Sequence, residues 1–182
     1  APREPVRPAE AALLGFCALL AGVTFLGALI PEWFYDSLIY HMAVPGQYAL
    51  EGKVHWVRYS YVYYNYPLLT SMQYLVFMVL GDDVAPRLLH WFYGVLGAAS
   101  AYALARPHLG RAGSLLAAAA FLSQPVNRFL MAVTMDELPM ALFSTLALAA
   151  LGLAAGGGGG RGAWLLVGGW FLGFAQGSKY LG

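Results

Sequence analysis

PLLTSMQYLVFMVL, residues 67–80, is the stretch whose reading decides the fold. Its apolar run is about 14 residues long, in the range of interfacial, re-entrant or buried helices and short of the roughly 20 residues that cross a bilayer. If it crossed, the acidic GDD at 81–83 would share a side with Arg3 and Arg7, and RPHLGR at 106–111 would face the opposite side, against the positive-inside tendency. Laid in the interface instead, it leaves Arg3, Arg7, Arg106, Arg111 and Arg161 on the inner side with only Glu4 and Glu10. Seven of the nine acids then face outward.

The rest of the chain has the composition of a membrane protein. Of 182 residues, 60% are hydrophobic and 10% charged, and the mean hydropathy is +0.62. Five runs are long enough to cross: 11–30, 85–105, 112–132, 138–155 and 163–180. The prediction is an all-α integral membrane protein with about five transmembrane helices, forming a single transmembrane domain over 1–182. A net charge of +1, with Lys and Arg scattered singly, gives no field for nucleic acid. Cys17 stands alone within the first apolar run, which removes an intrachain disulfide and a Cys-x-x-Cys metal site. The arm APREPVRPAE precedes a run too long for a signal-peptide core and reads as an uncleaved anchor.

Residues 31–84 then form one outer loop with interfacial helices. Its aromatic density, WFY at 33–35 and HWVRYSYVYYNYP at 55–67, suits headgroup depth, where an amphipathic ring keeps one end wet. The glycines at 156–160 read as a flexible inner loop, and no Lys-Ser or Lys-Thr follows them to make a phosphate cradle. Gly169, Gly173 and Gly177 recur every four residues, a stripe that suits close helix packing.

This topology brings ionisable residues from distant segments to one face: Asp36 after the first span, Arg87 and His90 opening the second, Arg128 closing the third, Asp136 and Glu137 opening the fourth, and Lys179 ending the fifth. Charges at such depth pair with one another or line a wet, functional cavity. Two acids and several bases at one level suit a metal ion and an anionic ligand. Asp36, in FYDSLIYH at 34–41, suits a general base or an oxygen ligand for a hard divalent cation, and it equally suits a helix N-cap. On an α-helix Tyr40 shares its face and His41 points away. Thr134 and Glu137 have capping-box spacing, which Pro139 shifts toward Asp136 as the cap, so capping competes with chemistry there. Lys179, Arg128 and Arg58 suit an anionic ligand, and snorkelling to the interface accounts for them as well.

The order of FYDSLIYH, YNYPLL, ARPHLGRAG, TMDELPMALF and GFAQGSKY resembles the integral-membrane glycosyltransferases of the C-type fold, in particular the dolichyl-phosphate-mannose protein mannosyltransferase and aminoarabinose transferase group. The resemblance runs from about residue 10 to the end. It implies a multi-spanning enzyme that moves a sugar from a polyprenyl-phosphate donor to a lipid, glycan or protein acceptor on the outer face of the membrane. Under it, Asp36 matches the acid at the reaction centre, Asp136 the second acid and Lys179 a basic position near the carrier phosphate; Arg128 and Arg58 remain the further donor-phosphate candidates that the residues themselves offer. Tyr40, His41, Tyr66 and Glu137 line the pocket, and Tyr66 with Pro67 marks the entry to the interfacial helix. Asp36 and Asp136 are the expected ligands of a divalent ion, Mg or Mn, and a bacterial plasma membrane is the expected location. Family members carry more than five spans, so the resemblance reads the chain as an N-terminal portion. Two rival readings stand beside it: a transporter fragment with ion-relay charges, which would show paired repeats, and a non-catalytic assembly subunit.

Overall fold

The computed structural model describes residues 5–58, 65, 68–156 and 160–179, and among these every regular element is helical. The first helix, α1 (Pro8–Ala28), opens with a proline at its first position, where no N–H is needed. A π-helical turn (Ser37–His41) and α2 (Ala43–Glu51) follow, then α3 (Leu69–Val79), α4 (Ala85–Ser123), α5 (Pro125–Leu130), α6 (Glu137–Ala155) and α7 (Arg161–Ser178). Three of these, α1, α4 and α6, are long and apolar enough to cross a membrane. The chain is an all-α integral membrane protein. α7 has eighteen residues, and its five glycines and Arg161 lower its hydropathy.

α4 is a hairpin, with its break at Gly110, whose φ of 63° and ψ of −168° lie outside the helical region and suit glycine alone. The two limbs run antiparallel, since a methyl group on Gly97 in the first would stand 2.6 Å from the Phe121 ring in the second. The expected separation of 85–105 from 112–132 at the ARPHLGRAG turn therefore appears as two limbs of one element. The second limb ends early, at Ser123. Gln124 precedes Pro125, whose ring forces it out of the helical region (φ −60°, ψ 125°), so Arg128 lies on the separate α5 instead of closing a span.

Contacts fix which ends lie together. Glu10 near the start of α1 forms an ion pair with Arg111 at 3.7 Å, so this end of α1 sits beside the Gly110 turn. At the opposite end the fully buried Arg87 donates from Nε to the Ala28 carbonyl at 3.0 Å, placing a cation on the carboxyl terminus of α1. The core forms where α4 crosses the 130s and α6, around Tyr93, Leu122, Met131, Leu138 and Leu142. α6 lies along α7 and α1 along α4, with α4 joining the two pairs.

α3 is short, as the opening stretch predicts, and it packs on this second end. The buried Tyr74 hydroxyl donates to the Met135 carbonyl, and the Thr70 hydroxyl donates to Ser178 Oγ at 3.0 Å. The glycine stripe of α7 behaves differently from its sequence reading. Gly168, Ala175 and Ser178 form the buried face, while Gly169 and Gly173 have no neighbour within 4 Å of an added Cβ; only Gly177 meets a partner, Leu69. Tyr66 and Pro67 lie outside the described residues, as does most of the 55–67 aromatic run.

Candidate functional site

Residues from four segments meet at the Arg87 end of the bundle. The centre is Lys179, whose Nζ donates to Glu137 Oε1 at 2.6 Å and to Asp136 Oδ1 at 3.4 Å. α7 ends at Ser178 and Lys179 turns extended (φ −158°), which carries the ammonium back to the start of α6. Asp136 occupies the N-cap position of α6, yet its carboxylate makes no cap bond and is spent on Lys179. Thr134 gives no capping box either, because its N–H and hydroxyl both donate to Glu32 Oε2, at 2.9 and 2.7 Å. Capping thus does not account for the acids.

Glu32 was not flagged by sequence reading. It ties the segment after α1 to the loop before α6, since its second oxygen also accepts from the Trp33 and Phe34 amides. Ser37 adds a second tie across the same gap, donating from Oγ to the Thr134 carbonyl at 2.7 Å. These two ties bring the FYDSLIYH stretch beside Asp136. Asp36 has helical dihedrals and makes no cap bond, so the N-cap reading fails for it too. Tyr40 is its neighbour instead, and the Asp36 charge helps to raise the Tyr40 phenol.

The local fold around Asp36 departs from the α-helix assumed from spacing. Met42 N donates to the Ser37 carbonyl at 2.9 Å, an i to i+5 closure. Pro45 explains it: it has no N–H for the His41 carbonyl four residues back, and its ring crowds that carbonyl. A turn closed over five residues sets the fourth and fifth positions after Asp36 on its side, so His41 does not point away. Its buried ring places Nδ1 3.5 Å from Ser71 Oγ on α3 and Nε2 3.9 Å from Asp136 Oδ1.

Burial governs the electrostatics. It pushes the Asp136 carboxyl up to about 6, assisted by repulsion from Glu137 and opposed by Lys179. Burial lowers His41 to about 3, so the imidazole is neutral at physiological pH and its approach to Asp136 is no ion pair. Tyr40 is raised, first by burial and then by the charge of Asp36, with Asp136 and Glu137 contributing.

Other expected site residues lie elsewhere. Arg128 is exposed on α5 and forms no ion pair among the described residues. Arg58 is exposed and lines a separate depression of about 330 Å³ with Gln47, His55, Trp56 and Val57. Asp36 has Tyr40 beside it and Asp136 is engaged by Lys179, and the described residues contain no cluster of three His, Cys, Asp or Glu side chains able to hold an ion. The cation on the acids is the chain's own ammonium.

No curated protein and no solved structure matches the chain. The family model of dolichyl-phosphate-mannose-protein mannosyltransferases matches residues 65–182. That region holds Asp136, Glu137, Ser71 and Lys179, while Asp36 and His41 lie before it. A helical membrane protein whose acids and ammonium gather at one end of the bundle, and whose sequence matches this model over more than half its length, belongs to the dolichyl-phosphate-mannose-protein mannosyltransferase family of membrane glycosyltransferases.

Proposed function

We propose that the chain takes a sugar from a polyprenyl-phosphate donor and moves it to an acceptor hydroxyl at the Asp36 end of the bundle, on the outer face of the membrane. The single observation that carries this reading is the convergence of two differently furnished stretches: the Ser37 and Glu32 ties to Thr134 bring the half-buried Asp36 and its neighbour Tyr40 to the end of the bundle where Asp136 and Glu137 hold the Lys179 ammonium.

In the reaction the acceptor oxygen attacks the anomeric carbon, the bond from that carbon to the phosphate oxygen breaks, and the acceptor proton passes to Asp36. The donor phosphodiester carries one negative charge and the departing polyprenyl phosphate carries up to two. The charge that develops falls on the leaving oxygen, where a fixed cation in a water-poor site is most effective. Lys179 supplies that cation. Asp136 and Glu137 hold its ammonium in place before the donor arrives, and Tyr40 stands beside the Asp36 carboxylate on the acceptor side.

The test is sugar transfer from a polyprenyl-phosphate-linked donor by the intact protein in liposomes. Asp36→Asn is expected to lower turnover by about 10²–10⁴-fold, the range for loss of a general base, with membrane insertion unchanged. Turnover by that variant within a few fold of wild type would contradict the role of Asp36.

A further inference from the structure

His41 is left over by this mechanism, and its surroundings are too specific for a spacer. It is 3% exposed, stands on a π-helical turn, and contacts two other segments: Ser71 on α3 through Nδ1 and Asp136 before α6 through Nε2. A Ser71 hydroxyl donating to Nδ1 leaves the ring proton on Nε2, pointed at Asp136 Oδ1. That Nε2 has no hydrogen-bond partner, a costly condition for a buried N–H. The oxygen it faces is the one shared with Lys179, at 3.4 Å from Nζ. At 3.9 Å the His41 contact is too long for a hydrogen bond, and contacts of this kind in a substrate-free site commonly tighten when substrate binds.

We propose that His41 is the positioning residue for Asp136: when the donor phosphate draws Lys179 toward itself, the Nε2–H of His41 closes on Asp136 Oδ1 and holds the carboxylate in place. The inference rests on the proposed transfer function for its trigger, and on geometry alone for the Ser71, His41, Asp136 alignment. The alignment needs three segments to converge, which gives the π-helical turn a purpose. An ordinary α-helical turn would carry His41 away from the side that bears Asp36.

Two measurements separate this inference from the function it rests on. In the first, the intact protein labelled with ¹⁵N-histidine, with His41 assigned by its loss in His41→Gln, is observed by NMR. Neutral His41 protonated on Nε2 is expected, with that signal moving in Asp136→Asn and a mixture of tautomers appearing in Ser71→Ala. A ring protonated on Nδ1, or an Nε2 signal indifferent to Asp136→Asn, overturns the proposal whether or not the protein transfers sugar.

The second measurement is kinetic. His41→Met, which keeps the volume and loses the donor, is expected to lower kcat about tenfold or more at unchanged KM for the donor lipid. His41→Gln, whose amide reaches the same position, is expected to recover much of that loss, and His41→Met is expected to cost nothing further in an Asp136→Asn background. Equal losses for Met and Gln, or additive losses with Asp136→Asn, overturn the positioning role. Should the wild type move no sugar, the proposed function falls, and the NMR result alone decides the alignment.

Discussion

Asp136 gives its carboxylate to Lys179 instead of to the helix it precedes, and burial, assisted by Glu137, raises its titration against the opposing pull of that ammonium. A carboxyl raised to about 6 binds its proton more tightly in the folded protein than in the unfolded chain, where it titrates near 4. Its contribution is therefore greatest below pH 4 and is lost as pH rises toward 6. Asp136→Asn is expected to flatten that fall and to be more stable than wild type at pH 7 by on the order of 1 kcal/mol, while losing turnover. Thermal unfolding in detergent between pH 4 and 8 measures it, and a variant less stable than wild type at pH 7 would contradict the burial argument. Lys179→Met removes the cation from two neighbouring carboxylates, and turnover in the liposome assay is expected to fall about 10²–10³-fold. A Lys179→Met protein with wild-type turnover would exclude Lys179 from charge stabilisation. At this scale the sequence was legible where span ends set the level: Asp36, Asp136, Glu137 and Lys179 do lie at one end. Arg128 and Arg58 were not separable from them, because spacing records depth along the bundle and says little about direction around it.

The elements explain which contacts escaped sequence reading. Glu32 meets Thr134 across 102 positions, and nothing in the local pattern around either residue marks the other. Glu32→Gln weakens two charge-assisted bonds in a partly buried clasp and is expected to cost about 1–3 kcal/mol. Hydrogen exchange at the Thr134 amide should quicken with it, and unchanged protection there would remove the clasp from the account. The π-helical turn is a second case: the effect of Pro45 on the carbonyl of His41 follows only once the segment is known to be helical on both sides. Gly110 was the most legible feature, a glycine within a polar turn between two apolar runs. Gly110→Ala places a side chain at φ +63° and is expected to destabilise the hairpin by about 1 kcal/mol or more, read from thermal unfolding in detergent.

Across the whole molecule, two ends of opposite character are separated by the length of α1, α4 and α6. One holds Glu10, Arg111 and the Gly110 turn; the other holds Asp36, Arg87, Asp136 and Lys179. The spans α1, α4 and α6 and the short α3 were readable from run length, which follows from the bilayer's thickness, whereas the runs 112–132 and 163–180 appear as the second limb of α4 with α5 and as the less apolar α7. How the π-helical turn and α3 fold onto the bundle was not readable, because it depends on buried polar contacts such as Tyr74 to Met135 and Ser37 to Thr134. Sidedness decides whether the acids can meet a lipid-borne donor and an acceptor on the same surface. The most direct measurement is labelling of single cysteines at 36, 136 and 108, in a chain with Cys17 replaced, by a membrane-impermeant reagent on sealed right-side-out vesicles. Labelling of 36 and 136 from outside, with 108 reached only after the vesicles are opened, is the predicted result; positions 36 and 136 reacting from opposite compartments would contradict it.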